Sequence, residues 1–199
     1  MYLGAIKSKH RGFSMIEVLV TLVVLSIGLL GLAALQLTSL RSVNSASYRT
    51  QATLLIDDIA ERMRINVAAV DNNDFMAFNS AAIDCTALPA PYCGEYYDDT
   101  DGAVAAANCT SSQLAAYDTK TWFCGVNTSG VLTGGVLATL PGATATITCN
   151  DTDPPAGVDA DACTDSSPHT ISVSWNELNP NQTGGAATTL QTIAVTIQP

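Results

Sequence analysis

The sequence predicts an α+β chain: a long N-terminal helix, transmembrane in its first half, with a C-terminal antiparallel sheet packed on its second half. Three observations carry this. From Val18 to Leu40 there is no ionisable side chain, which matches the roughly 20 apolar residues a bilayer requires. The chain then continues without proline to Asn66, with Leu55, Ile56, Ile59 and Met63 at helical spacing. Finally, segments 143–149, 169–176 and 188–198 carry apolar residues in alternation, the period of half-buried antiparallel strands.

The N-terminal end is basic. Lys7, Lys9 and Arg11 precede the apolar run, which places the start of the chain in the cytoplasm and everything after Leu40 outside it. Glu17 is the exception to the apolar pattern. An acid near the centre of a span costs about 2.5–3.5 kcal/mol on insertion scales, so such a residue usually has a dedicated partner.

If one helix runs from Ser14 to Asn66 it is roughly 80 Å long, more than any bilayer is thick. Its second half is amphipathic, and Asp58 and Arg62 stand four apart in the order that favours pairing. Residues 67–142 are rich in small and polar types and read as loop-rich, disulfide-stapled structure. In the later strands Ile171, Val173 and Trp175 alternate with polar neighbours, as do Ile193, Val195 and Ile197. That sheet needs a cover for its apolar face, and the helix stripe is the one available. Trp122 and Trp175 read as core or rim aromatics.

Charge and cysteines set the compartment. Of 8 basic residues only Lys120 lies beyond the first third, and the net charge is −10. An acidic, lysine-poor exterior argues against nucleic acid as a partner. The 6 cysteines, Cys85, Cys93, Cys109, Cys124, Cys149 and Cys163, all fall in the part expected to be exported, which points to disulfides. Local loops closed by Cys149–Cys163 and Cys85–Cys93 are two plausible pairings among many. A zinc site needs closer ligand spacing than this, and the two histidines are His10 and His169, so no metal and no cofactor is expected.

Three other chemistries fit poorly. Acidic runs at Asp98–Gly102 and across Asp151, Asp153, Asp159, Asp161 and Asp165 lack the full calcium loop with its closing glutamate and read as solvated turns. Asn108, Asn127, Asn150 and Asn181 begin N-x-S/T patterns that polar loops generate by chance. His169 has no Ser or Cys partner evident in the sequence, so no catalytic set can be assembled and an enzyme is not expected.

The segment Gly12-Phe13-Ser14-Met15-Ile16-Glu17, preceded by Lys9-His10-Arg11 and followed by the apolar run, resembles the processing site of type IV pilins and pseudopilins. Extended through Leu54-Leu55-Ile56-Asp57-Asp58 to Asn66, it resembles the minor pilin family PilV, the type IV pilus modification protein. The resemblance ends near Asn66. It implies cleavage between Gly12 and Phe13 by the prepilin peptidase, N-methylation of Phe13, and a Glu17 carboxylate that meets the N-terminal amine of a neighbouring subunit.

It also implies residues 1–12 as leader and 13–40 as membrane and assembly helix, with 41–66 as its amphipathic continuation; residues 67–199, beyond the resemblance, read from their own pattern as a periplasmic disulfide-bonded head. Other minor pilins, the major pilin and a tip adhesin are the expected partners, with residence in the inner membrane and then the pilus. The six cysteines exceed the single C-terminal disulfide common in major pilins, and the proline that often kinks their helix is lacking here, leaving Gly28 and Gly31 as its weak points. A minor pseudopilin of a type II secretion system uses the same helix and peptidase. A plain secretory signal cut near Gly31-Leu32-Ala33 accounts less well for Glu17 and for the amphipathic helix beyond it; against a simple membrane anchor carrying a periplasmic binding domain, with Glu17 near the interface, the adjacent Gly12-Phe13 and the basic flank tip the balance.

Overall fold

The structure, a computed structural model, describes residues 12–76, 78–86, 90–98, 102–128, 131–150, 163, 167–178 and 188–199. It divides into two compact units, Met1–Ser45 and Ala46–Pro199. Helix α1, Met15–Ile65, is continuous through 51 residues and contributes to both.

In the first unit the apolar side chains of α1 are bare. Leu19, Leu22, Leu25, Leu29 and Leu32 are each 56–60% exposed, and no part of the most apolar window is buried. By length and composition this helix can cross a membrane. Three of its hydroxyls bond within the helix: Thr21 donates to the Val18 carbonyl at 2.8 Å, Ser26 to Leu22 at 2.7 Å and Thr38 to Ala34 at 3.1 Å. A hydroxyl bonded this way can enter hydrocarbon without an unpaired donor.

In the second unit the same helix is amphipathic and buries Ala52, Ile56, Ile59, Ala60 and Met63. These pack into one core with Phe75, Phe78, Trp122, Ile147, Ile171, Val173 and Trp175. Burying each large side chain stabilises the unit by about 1.5–3 kcal/mol. The cover expected for the sheet is therefore the stripe that forms.

Short elements follow α1: α2 (Val67–Asp71), a 3-10 turn (Ser80–Ala82), and hairpin strands β1 (Tyr96–Asp98) and β2 (Gly102–Val104). Next come α3 (Ser111–Cys124), a second hairpin of β3 (Val126–Thr128) and β4 (Val131–Thr133), and α4 (Gly135–Thr139). The reading of 67–142 as loop-rich is corrected by α3, which has 14 residues. Thr110 and Gln113 form a reciprocal capping box at its start. Its buried face mixes Ala115, Thr119 and Trp122, so apolar periodicity is weak. The Trp122 indole N–H donates to the Leu55 carbonyl at 2.7 Å, and Phe78 meets the Trp122 ring edge-on at 5.5 Å. Both tryptophans are core residues, Trp122 and Trp175 being 1% and 0% exposed.

Strands β5 (Thr144–Cys149), β6 (His169–Leu178) and β7 (Thr188–Ile197) form the main antiparallel sheet with β6 central. Ile147, Ile171 and Val195 lie in register on the core face. On the opposite face Thr170 pairs with Thr196 and Ser174 with Thr192 through their hydroxyls. The outer edge of β5 is occupied: Asn79 bridges Thr146, and the Ser80 hydroxyl accepts the Ala145 N–H at 2.9 Å.

All six cysteines are paired, as Cys85–Cys124, Cys93–Cys109 and Cys149–Cys163, with Cα separations of 5.4, 5.8 and 6.3 Å. The local loop expected between Cys85 and Cys93 does not form. Packing of α3 against the core brings Cys124 to Cys85 across 39 residues, a proximity that sequence distance does not report.

Candidate functional site

The sequence singles out the start of α1, and the structure describes it from Gly12 onward. Ser14 lies just before the helix, and its carbonyl accepts the Glu17 and Val18 N–H groups at 3.0 and 3.3 Å. Glu17 therefore stands in the first turn, where the exposed N–H groups of the helix favour a negative charge. Phe13 is 84% exposed. A Cβ built on Gly12 would meet nothing within 4 Å among the described residues. The fold thus has no steric need for glycine at position 12, and any such need belongs to whatever handles that peptide bond. Lys7, Lys9, His10 and Arg11 lie outside the described residues.

A second polar cluster lies on the Ala46–Pro199 unit. Arg62 forms a two-pronged bond to Asp58 at 3.2 and 3.1 Å and reaches Asp118 of α3 at 3.1 Å. Burial pushes the Asp118 carboxyl above its ordinary range, and the pull of Arg62 does not fully offset it. Burial would lower the Arg62 pKa, but the bonds and charges of Asp58 and then Asp118 outweigh it and hold the guanidinium charged. The cluster borders a pocket of about 240 Å³ lined also by Tyr117, Thr121 and Trp122. Its cation is already shared between two carboxylates, so the arrangement ties α3 to α1. Gly135, at φ 72°, lies on the same pocket, and a Cβ there would overlap the Gly125 backbone.

The third grouping escapes sequence reading. Cys149 and His169 are direct cross-strand partners on β5 and β6, and Cys163 joins them through its disulfide. One ligand atom from each of the three lies within 4.8 Å of the other two. His169 is 2% exposed, and burial lowers its pKa, more than its bond to Ser167 raises it. The Asn73 amide donates to the Cys163 carbonyl at 3.4 Å. The partner missing for His169 in the sequence is supplied by strand register, which brings residues 20 positions apart side by side. The acidic loop Asp151–Asp161 and Asp165 lie outside the described residues, as do Asp99, Asp101 and Asn181.

A family model described as type IV pilin Tt1218 matches residues 34–120. Another, described as the prokaryotic N-terminal methylation motif, matches residues 7–33. No curated protein and no solved structure gives a match. The two family matches adjoin without a gap, and the second covers Gly12, Phe13 and Glu17 at the head of the bare apolar helix. That motif opens a helix that ends in an α+β unit, and the chain is similar to type IV pilins over residues 7–120.

Proposed function

We propose that the chain is the precursor of a minor pilin of the PilV kind, cut between Gly12 and Phe13 by the prepilin peptidase and N-methylated at Phe13. On this reading residues 1–12 are the leader, 13–40 the assembly helix, 41–66 its continuation and 67–199 a periplasmic head. The observation that carries the reading is the bare apolar half of α1 with one carboxylate in its first turn. Outside a bilayer, so large an apolar surface needs a matching surface. Bundling with the same half of other subunits supplies one.

Glu17 then acts as a register device. Cleavage creates a positive amine at Phe13, and a Glu17 carboxylate meeting the amine of a neighbouring subunit neutralises two charges that are costly in lipid. The partners are other minor pilins, the major pilin and a tip adhesin. The task is to prime pilus polymerisation from the inner membrane.

The test is the N-terminal sequence and mass of the mature protein from membranes, wild type against Gly12→Val. A start at methylated Phe13 in the wild type, with the leader kept in the variant, is expected. An intact Met1 start in both overturns the reading, as does a start near Ala34. Deletion separates the two assembly systems: loss of twitching motility supports the pilus, and loss of exoprotein secretion alone assigns the chain to a type II secretion system.

A further inference from the structure

We propose that Cys149, Cys163 and His169, once the disulfide among them is reduced, form a three-ligand site for a soft d10 cation, zinc above all. The inference is independent of the assembly role of α1. Two thiolates and a neutral imidazole are the donor set that selects zinc over magnesium or calcium. The three ligand atoms already lie within 4.8 Å of one another. Tetrahedral zinc, with bonds of about 2.3 Å to sulfur and about 2.0 Å to nitrogen, sets its donors roughly 3.3–3.8 Å apart. On reduction the two sulfurs, bonded to each other in the disulfide, must part from about 2.0 Å to about 3.8 Å, while the imidazole stays beside them.

The histidine is prepared for this. A carbonyl can only accept, so the 3.0 Å contact between His169 Nδ1 and the Ser167 carbonyl places the ring proton on Nδ1. The lone pair is then on Nε2. That atom is buried and has no hydrogen-bond partner among the described residues. Metal-ligating histidines are built the same way, one nitrogen held by a carbonyl and the other presented to the ion. On the cysteine side, Asn73 holds the Cys163 carbonyl, and Cys149 is fixed at the end of β5 opposite His169.

Reduction needs a donor of two electrons. A dithiol supplies them by closing its own disulfide as the Cys149–Cys163 bond opens to two thiols, and the cation then replaces both thiol protons. Disulfide and metal thus hold the same junction by different bonds. Cys163 stays tied to Cys149 at the end of β5 in either state.

The test uses the full chain in detergent, freed of metal and reduced by a trialkylphosphine, which becomes its oxide with oxygen from water. Cobalt(II) is the probe. Oxidised protein should bind none. Reduced wild type should take up one ion per chain with tetrahedral d–d bands and a thiolate charge-transfer band, both lost when zinc is added. C149S/C163S should abolish the bands, C93S/C109S should keep them, and H169Q should weaken binding by more than the roughly 10–100-fold that loss of a group merely orienting a ligand costs. Near-ultraviolet circular dichroism of unreduced H169Q checks that it folds. Reduced wild type without tetrahedral bands, or bands that survive in C149S/C163S, overturns the proposal.

Discussion

The two halves of α1 have the same backbone and opposite solutions to the same problem. Before Ser45 the helix is apolar around its circumference and its leucines are bare; after Ala46 it buries a stripe in which Ala52, Ile56, Ile59 and Met63 are each 0% exposed, while Leu54 and Ile65 stay outside it. Helix formation alone therefore says nothing about stability of the fold. One half draws on an external apolar medium, the other on residues up to Ile197 of its own chain.

The contrast breaks most visibly in the core. Trp122→Ala should cost the Ala46–Pro199 unit about 3–5 kcal/mol, measured by thermal or denaturant unfolding in detergent. Leu29→Ala should leave that unfolding within about 0.5 kcal/mol of wild type, as expected for a surface site. Equal losses in the two variants would show that the halves are energetically one body.

Disulfides sharpen the same comparison, since all of them lie after Ala46. Loop closure predicts that C85S/C124S, which opens 39 residues, costs about 4 kcal/mol, against about 3 kcal/mol for C149S/C163S with 14. The order of the two unfolding midpoints checks it.

Arg62→Ala should cost about 1–2 kcal/mol. It leaves the buried Asp118 unpaired, and the partial exposure of Arg62 and Asp58 screens the rest. The Asp118 carboxyl is raised in the folded state, so stability of the variant should recover as pH falls toward the carboxylate range. An unchanged midpoint from neutral to acid pH would show that Asp118 is solvated.

The smallest effect is a pH slope from His169. Burial lowers its folded pKa below the unfolded value of about 6.5, so the unfolded chain binds the extra proton and stability falls as pH drops below about 6.5. The slope is at most about 1.4 kcal/mol per pH unit for one group. H169Q should flatten that part of the profile, and an identical slope in the variant would assign it elsewhere.

What could be read from the sequence follows from distance along the chain. The apolar run, the stripe from Leu55 to Met63 and the alternation at Ile171, Val173 and Trp175 are local periodicities, and each became the element it announced. Helix α3 did not announce itself through its apolar face, because Ala115 and Thr119 do the work of larger residues there. Its available signal was the Thr110–Gln113 cap. The Asp58–Arg62 pair was visible at helical spacing, but Asp118 as third member was not, since 56 residues separate it from Arg62. Cys85–Cys124 and the Cys149–His169 neighbourhood are likewise consequences of packing and register.

The stripe on α1 also sets a schedule. Ile56, Ile59 and Met63 are made early, whereas Ile147 and Trp175 of their cover are made more than 80 residues later, so these contacts are the slow, non-local kind. A ribosome working from the N-terminus therefore releases a sticky helix well before its lid exists. Until β6 and β7 are complete, that surface is open to chaperones and to other unfinished chains, and a premature stop after Asn150 would leave it open for good.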